Sequence, residues 1–266
     1  MKKFFTLASL LALSMVACTN EEPKNEANEK AQVNLSLTIS NEVVDTRANI
    51  SCTTPAAEEF ALKIEGKIEC YDNREYSAEY ASIEEFKADS YLHHGTYTAT
   101  VVAGDLAEEG YDMATFVGSK EFTVEPRKEG SVEVTATIAN ALVQVDVTEN
   151  FKNYFVGGYT LTLTTAAGNE FNVTTQTEPI FIAPAAFTIS GTAVKQPNQS
   201  GAEGVVVDLE GYTHDEVAAQ TLYTVKMDVE TAGRATLTIT LNDELKESFD
   251  IEQELNDHSK DIPNNK

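Results

Sequence analysis

The main pattern along the chain is a strict alternation of apolar and polar residues. It begins where Val33, Leu35, Leu37 and Ile39 alternate with small polar residues. A period of two places successive side chains on opposite faces, and it predicts β-strands with one buried face. The alternation recurs at Phe60/Leu62/Ile64, Tyr97/Ala99/Val101, Val132/Val134/Ala136/Ile138, Tyr159/Leu161/Leu163, Tyr223/Val225/Met227/Val229 and Leu237/Ile239/Leu241.

Only short helical segments are expected between these strands. Thr148 is placed to cap a helical turn that carries Phe151, Tyr154 and Phe155 on one face. Residues 213–216 match the capping box in which Thr and Glu are three positions apart. Short, regular strands without long amphipathic helices predict an all-β fold of antiparallel β-sandwiches, immunoglobulin-like or prealbumin-like.

The two halves of the chain resemble each other. GTYTATVVAGD (95–105) is similar to AAFTISGTAVK (185–195), because each is a strand that follows a short loop and starts near an aromatic residue. GSVEVTATIANA (130–141) ends the first half much as GRATLTITLND (233–243) ends the second. The sequence therefore predicts two tandem sandwiches, and we expect a fairly rigid joint because no Pro/Gly-rich linker separates them.

We predict five segments along the chain, and the evidence for the first two follows below. The predicted segments are a signal peptide (1–17), a disordered tether (18–30), an N-terminal β-sandwich (31–139), a C-terminal β-sandwich (140–255) and a disordered tail (256–266).

The N-terminal segment has the features of an export signal. Lys2 and Lys3 precede an apolar run over residues 4–16. The run ends in MVAC (15–18), which resembles the bacterial lipobox, although it has methionine where leucine is usual. The resemblance implies lipidation of Cys18, and several acyl chains give stable membrane anchoring. The alternative is an ordinary secretory signal that is cut nearby, with an incidental cysteine.

The residues after Cys18 are suited to a flexible tether. Residues 19–30 carry no apolar side chain larger than alanine, so they have nothing to bury. The acidic pair Glu21-Glu22 resembles the signal that sends Bacteroidota lipoproteins to the outer face of the cell. The predicted location is therefore the outer membrane, lipid-anchored and facing the cell surface.

Charge restricts the classes of partner. The chain has 43 acidic and 19 basic residues, for a formal net charge of −24. Such a chain repels nucleic acid, and we expect no nucleic-acid partner. No stretch after residue 18 has the roughly 20 apolar residues that a membrane-spanning helix needs.

Few residues are candidates for chemistry. Cys52 and Cys70 form an even pair that could close a disulfide loop of about 19 residues, worth ~3 kcal/mol, or both could remain thiols. His93 and His94 are adjacent, and on a strand they would point to opposite faces, so we expect no metal site. The chain lacks the common hydrolase, zinc-protease and phosphate-loop motifs. We therefore expect no catalytic residue, no cofactor and no enzymatic activity.

One family resemblance covers most of the chain. FVGSKEFTVEPRKEGSVEVTATIANALVQVDVTENFKNYF (116–155) is similar to the central signature of a Bacteroidota lipoprotein family of unknown function, of the domain-of-unknown-function 4493 type. YASIEEFKADSYLHHGTYTATVVAG (80–104) and VNLSLTISNEVVDTRA (33–48) match its upstream parts. The resemblance implies a β-sandwich lipoprotein and no particular activity.

A wider resemblance is to the fimbrillin-type pilus proteins of the same bacteria. Those proteins combine a lipobox, a tether, an alternating first strand and a Thr-Arg site, and Thr46-Arg47-Ala48 follows the first strand here. In fimbrillins, cleavage after such an arginine removes the first strand and opens a groove for a strand from a neighbouring subunit. The resemblance implies cleavage between Arg47 and Ala48 and a protein partner bound by β-strand addition. The alternative is that Arg47 is an exposed loop residue.

Three functions remain open on this basis. The leading hypothesis is a non-enzymatic, lipid-anchored surface protein with a structural or adhesive role, related to fimbriae. The second is a glycan-binding accessory lipoprotein of a polysaccharide-uptake system, which the absence of tryptophan disfavours and the ten tyrosines keep open. The third is a hydrolase with an active site that resembles no common motif.

Overall fold

The computed structural model describes residues 30–43, 50–194, 206–231, 234–241 and 244–251. Its strands are β1 (Lys30–Ser40), β2 (Ala61–Ile68), β3 (Arg74–Tyr80), β4 (Tyr91–His93), β5 (Gly95–Ala103), β6 (Gly110–Tyr111), β7 (Phe116–Val124), β8 (Gly130–Ile138), β9 (Ala141–Val147), β10 (Tyr159–Thr165), β11 (Glu170–Asn172), β12 (Ile180–Ile182), β13 (Phe187–Val194), β14 (Val206–His214), β15 (Leu222–Thr231), β16 (Arg234–Leu241) and β17 (Glu244–Ile251). Two short helices, α1 (Ile83–Ala88) and α2 (Glu149–Tyr154), and two 3₁₀ turns (Ala57–Glu59 and Glu69–Tyr71) complete the described elements.

The predicted all-β fold is confirmed, with one refinement of strand direction. The strands form sheets in the orders β3-β2-β5-β7-β8-β1-β4, β11-β10-β13-β14 and β17-β16-β15-β9-β12-β6. Most neighbours are antiparallel, but β1 pairs with β8 and β9 pairs with β15 in parallel. Alternation reports which face of a strand is buried, but not the direction of its neighbour, so the sequence could not reveal these two pairings.

The first half of the chain folds one sheet over on itself. β7 and β8 share only the register pairs Phe116–Ile138 and Val117–Thr137, so the two groups of strands diverge and enclose a common core. That core combines Leu62, Ile64, Tyr97 and Ala99 from one group with Val33, Leu35, Val132 and Val134 from the other.

The second half packs its four-stranded sheet against strands of the six-stranded sheet. The core between them includes Leu161, Leu163, Phe187 and Ile189 on one side and Val143, Val145, Val225 and Met227 on the other. The two cores divide between Ile138 and Ala141, except that Leu142 and Phe181 of the second half pack into the first core.

The topology repeats, as the sequence similarity between the halves predicts. β1 lies between β8, which is parallel to it, and β4, which is antiparallel, and β9 lies in the same way between β15 and β12. β5 and β13 occupy equivalent central positions. The proposed equivalence of residues 130–141 with 233–243 is wrong, because the counterpart of β8 is β15 rather than β16. Thr-rich alternation is common to all these strands, so it did not distinguish between them.

The helical predictions have mixed outcomes. Thr148 caps α2 as expected, and its hydroxyl accepts a hydrogen bond of 3.2 Å from the Phe151 amide. The helix start predicted at residues 213–216 is wrong, because Thr213 and His214 end β14, where pairing with β13 takes the backbone groups that a helix would use. The sequence reasoning missed α1, although Ser82 caps it through the Glu85 amide.

Candidate functional site: the first strand and its groove

β1 is inserted between two strands that are distant in sequence. Residues 33–40 pair with residues 130–137 of β8, and residues 30–32 pair with residues 91–93 of β4. The Val33 amide also donates a hydrogen bond of 2.8 Å to the Ser90 carbonyl. β2, the next strand along the chain, is not a neighbour of β1 in the sheet. β1 therefore forms no hairpin with the residues that follow it.

The inner face of β1 fills part of the first core. Ala31, Val33 and Leu35 are 3%, 1% and 3% exposed, and Leu37 and Ile39 pack against the same core while partly buried. Full burial of a Val or Leu side chain contributes about 1.5–3 kcal/mol. β1 thus occupies a hydrophobic groove, and the burial of its inner side chains there stabilises the fold.

The outer face of β1 is polar and contacts two carboxylates. The Asn34 Nδ2 donates to Glu129 Oε1 at 2.5 Å, and the Thr38 hydroxyl donates to Glu133 Oε1 at 2.6 Å. Both contacts are exposed to solvent. The groove therefore has an apolar floor and an acidic rim on the side of β8.

The chain is held in place on either side of residues 44–49. The Ile50 amide donates to the Asn41 carbonyl at 3.0 Å, and the Asn41 side-chain amide donates to the Ile50 carbonyl at 2.7 Å. Val43 and Ile50 are both buried in the first core. The backbone of Ile50 is thus bonded to the residue that follows β1, and its side chain packs in the first core.

Three of the predicted site residues lie outside the described residues. Cys18 belongs to residues 1–29, and Arg47 and Ala48 belong to residues 44–49. Lipidation and cleavage at these positions stay predictions.

The structure does not bring Cys52 and Cys70 together as the predicted disulfide requires. Cys52 lies beside Asp112, near the end of the sandwich where β2 begins, whereas Cys70 follows the far end of β2. The eight residues of β2 span roughly 25 Å at about 3.3 Å each, and a disulfide needs Cα atoms within about 7 Å. Cys52 is partly buried and Cys70 is exposed, and neither forms a disulfide. Burial, with a smaller effect of Asp112, raises the pKa of the Cys52 thiol.

The sequence reasoning also missed Glu109, which joins the two halves. Its Oε2 accepts hydrogen bonds from the Thr165 hydroxyl at 2.5 Å and from the Asn169 Nδ2 at 2.8 Å. Its Oε1 accepts one from the Ala183 amide at 2.9 Å. Next to it, β6 of the first half pairs with β12 of the second. No local pattern marks such a residue, because its partners lie more than 50 positions away in the sequence.

A second joint forms around Asn140. This residue is fully buried, and its side-chain oxygen accepts a hydrogen bond of 2.6 Å from the Thr115 amide. Its carbonyl accepts one of 2.7 Å from the amide of Gln220, whose Nε2 in turn donates to the Glu42 carbonyl at 2.9 Å. The second half therefore contacts the residues that immediately follow β1.

A cavity of about 330 Å³ lies where the two halves meet. Its lining consists of Ser51, Cys52, Thr53, Asp112, Glu178, Pro179 and Phe181. The amide and hydroxyl of Thr53 donate to the Asp112 carboxylate at 2.6 and 2.5 Å, and these hydrogen bonds lower the pKa of Asp112. Within the part of the chain that the structure describes, no cluster of three or more His, Cys, Asp or Glu side chains has the arrangement of a metal site. The helices described are too short or too polar to span a bilayer.

The chain belongs to a protein family described as a domain of unknown function, DUF4493, whose family model matches residues 29–256. The family membership expected from the sequence is confirmed. No curated protein matches the chain at a significant level.

The solved structures that the chain resembles come from Parabacteroides and Bacteroides species. A fimbrial assembly protein from Parabacteroides distasonis is 13% identical, with a TM-score of 0.43 over 80% of this chain and 100% of that one. A candidate cell adhesion protein from Bacteroides eggerthii is 10% identical, with a TM-score of 0.41 over 80% and 95% of the two chains. Candidate polysaccharide-binding proteins from Bacteroides thetaiotaomicron are 7% identical, with a TM-score of 0.39 over 84% and 99%. At these TM-scores the similarities assign no function to this chain.

Proposed function

We propose that this protein is a non-enzymatic, lipid-anchored protein of the cell surface with a structural or adhesive role. Cys18 carries the lipid, and residues 19–29 tether the sandwiches to the outer membrane until the chain is cut after Arg47. The leader and the lipobox-like sequence before Cys18 support the anchor. The two β-sandwiches support the structural role, because they are rigid scaffolds suited to presenting surfaces and edges.

One observation carries the structural part of the proposal. β1 pairs with β8 and β4 but not with β2, so a cut in residues 44–49 would separate β1 from the core without breaking a hairpin. The side chain of Ile50 packs in the first core, whereas its two hydrogen bonds to Asn41 would be lost with β1. This arrangement supports cleavage after Arg47 as the event that makes β1 replaceable.

The partner is then a β-strand from another protein. Loss of β1 leaves the edge of β8 with unpaired amides and carbonyls, above an apolar floor. Both features favour the addition of a strand, since backbone hydrogen bonds supply affinity and alternate pockets supply specificity. A partner bound in this way builds an assembly by linking one subunit to the next.

Protein from intact cells tests the proposal. We expect mass spectrometry to find chains that start at Ala48 as well as chains that start at lipidated Cys18. Arg47→Ala should abolish the Ala48 terminus, whereas the control Arg127→Ala should leave it unchanged. Chains that start only at Cys18 would refute the cleavage.

The anchor needs a separate measurement. Cys18→Ala should abolish incorporation of labelled fatty acid, and Cys52→Ala should not. Protease treatment of intact cells should release peptides from both sandwiches. Peptides that appear only after lysis would contradict exposure at the cell surface.

A second candidate function is glycan binding, which the cavity between the two halves favours. The lining offers the hydroxyl groups of Ser51 and Thr53 and two carboxylates, groups that form hydrogen bonds with sugar hydroxyls. Tyr111, beside Asp112 in the sequence, is 42% exposed and provides an aromatic face. Binding on a glycan array that Tyr111→Ala abolishes and Tyr91→Ala preserves would support this function over the first.

A further inference from the structure

The groove around β1 defines the shape of any strand that occupies it. An occupant runs parallel to β8 along residues 130–137 and antiparallel to the short β4. It presents a small side chain where Ala31 faces the core, and branched apolar side chains where Val33 and Leu35 are buried. These inward positions select for alternation, which most β-strands share, so they discriminate poorly between partners.

The outward positions discriminate more sharply. Position 34 lies against Glu129 and position 38 against Glu133, and β1 fills both with neutral hydrogen-bond donors. Neither carboxylate forms an ion pair with a described residue, since the nearby Lys128 pairs with Glu125 instead. Two carboxylates along one rim therefore face the outer edge of whichever strand is bound.

The basic groups beside the groove lie at the end where β1 begins, which is also the end of Glu129. Lys30 of β1 is opposite His93 in β4, and the next residue, His94, contacts Glu69 at 3.4 Å. At positions 34 and 38, neither Glu129 nor Glu133 forms an ion pair with a basic side chain in the described part of the chain. A strand with acidic residues there would be repelled, and a strand with lysine or arginine would gain two ion pairs that β1 lacks.

We propose that the strand that replaces β1 belongs to a partner protein and carries basic residues at the positions equivalent to 34 and 38. This inference rests on the proposed function, because it requires β1 to be replaceable. A second copy of this chain fits the rim less well: its β1 has neutral residues at both positions, and each copy carries a net charge of −24. Glu129 and Glu133 of the acidic rim determine specificity for the partner strand, and burial of its apolar side chains on the groove floor contributes affinity.

Peptide exchange into the full chain tests this inference. Residues 44–49 are replaced by the recognition sequence of a specific protease, and cutting leaves β1 held without a covalent link. Fluorescent peptides then compete for the groove: KAQVNLSLTIS, the same peptide with lysine at positions 34 and 38, and the same peptide with glutamate there. A peptide in which the alternation is shifted by one residue is the control for non-specific binding.

We expect the lysine peptide to bind roughly three- to tenfold more tightly than the β1 peptide at low salt, and the glutamate peptide to bind more weakly. High salt should reduce the differences, because the contacts are exposed. Glu129→Gln with Glu133→Gln should abolish the preference. The matched control, Glu75→Gln with Glu121→Gln, changes exposed carboxylates on β3 and β7 and should preserve it.

The outcomes separate the two proposals. Equal binding of the lysine and β1 peptides would overturn the basic partner and leave strand replacement standing. Failure of every peptide to replace β1, in a protein that is cut and still folded, would overturn strand replacement and the basic partner together.

Discussion

Removal of the Glu109 carboxylate should weaken the joint between the two halves by a measurable amount. Glu109→Ala deletes an acceptor for three donors: the Thr165 hydroxyl, the Asn169 side-chain amide and the Ala183 backbone amide. Asn169 is exposed, so water replaces its lost bond at little cost. Thr165 is 5% exposed and Ala183 is half-buried, so water replaces their bonds poorly. We expect a loss of about 2–4 kcal/mol, from about 1–2 kcal/mol for each of these two donors.

Glu109→Gln should lose less than Glu109→Ala. The glutamine keeps one oxygen for the Ala183 amide, but its NH₂ group is a donor and meets the two donors of Thr165 and Asn169. We expect about half the loss of the alanine variant. The order of the two variants therefore tests whether hydrogen bonding, rather than side-chain packing, holds the joint.

Urea denaturation of the purified chain, followed by circular dichroism, measures these losses. A slope of about 1–3 kcal/mol per molar urea converts the alanine loss into a shift of the midpoint of roughly 1 M or more. Glu108→Ala is the matched control, because Glu108 is exposed and only its backbone amide is bonded. Equal midpoints for the two alanine variants would refute the role assigned to Glu109.

Three further predictions concern local structure. Thr148→Ala should destabilise the chain by about 1–2 kcal/mol, because Thr148 caps α2 and donates to Asp228 at 2.6 Å, and Thr148→Ser should restore most of the loss in the same urea assay. The hydrogen bond from Thr148 is the main cause of the lowered pKa of Asp228. The stability that the ionised Asp228 contributes is therefore present above the usual carboxyl pKa of about 4 and is lost as the pH falls below it. Asp228→Asn should flatten that part of a stability–pH curve. Gly191→Ala should cost roughly 1–3 kcal/mol, because a Cβ there would lie 2.1 Å from the Thr160 carbonyl oxygen, and thermal melting should show no comparable loss for Gly130→Ala, where the space is open.

The sequence predicted the elements of the fold better than their arrangement. Val33, Leu35 and the later alternating residues identify strands and their buried faces, because burial on one side of a pleat imposes a period of two. The Thr148 cap was also predictable, since capping is local. The parallel partner of β1 was not, because it depends on residues about 100 positions away. Thr213 shows the same limit, since a local capping motif gave way to pairing with a strand.

For the candidate site, too, local features were predictable and long-range contacts were not. The sequence located β1, because an alternating strand is visible in the order of residues, and cleavage at its Thr-Arg-Ala motif stays a prediction. It placed the boundary between the halves near Asn140 but did not predict the contacts of Asn140, of Glu109 or of Glu129, because their partners are brought close only by the fold. The spacing of Cys52 and Cys70 in the sequence allowed a disulfide that the fold does not form. Sequence separation does not show that the extended strand β2 lies between the two cysteines.

The parallel pairing of β1 with β8 also determines when the first strand can fold. Val33 pairs with Gly130, so the longer part of the strand made first cannot pair until the last strand of its sandwich exists. At about 5–20 residues per second, synthesis of the intervening chain takes roughly 5–20 s, and closing so long a loop carries a further entropic cost. Residues 33–40 of β1 therefore have no partner strand until β8 has been made, whereas residues 30–32 can pair with β4 earlier.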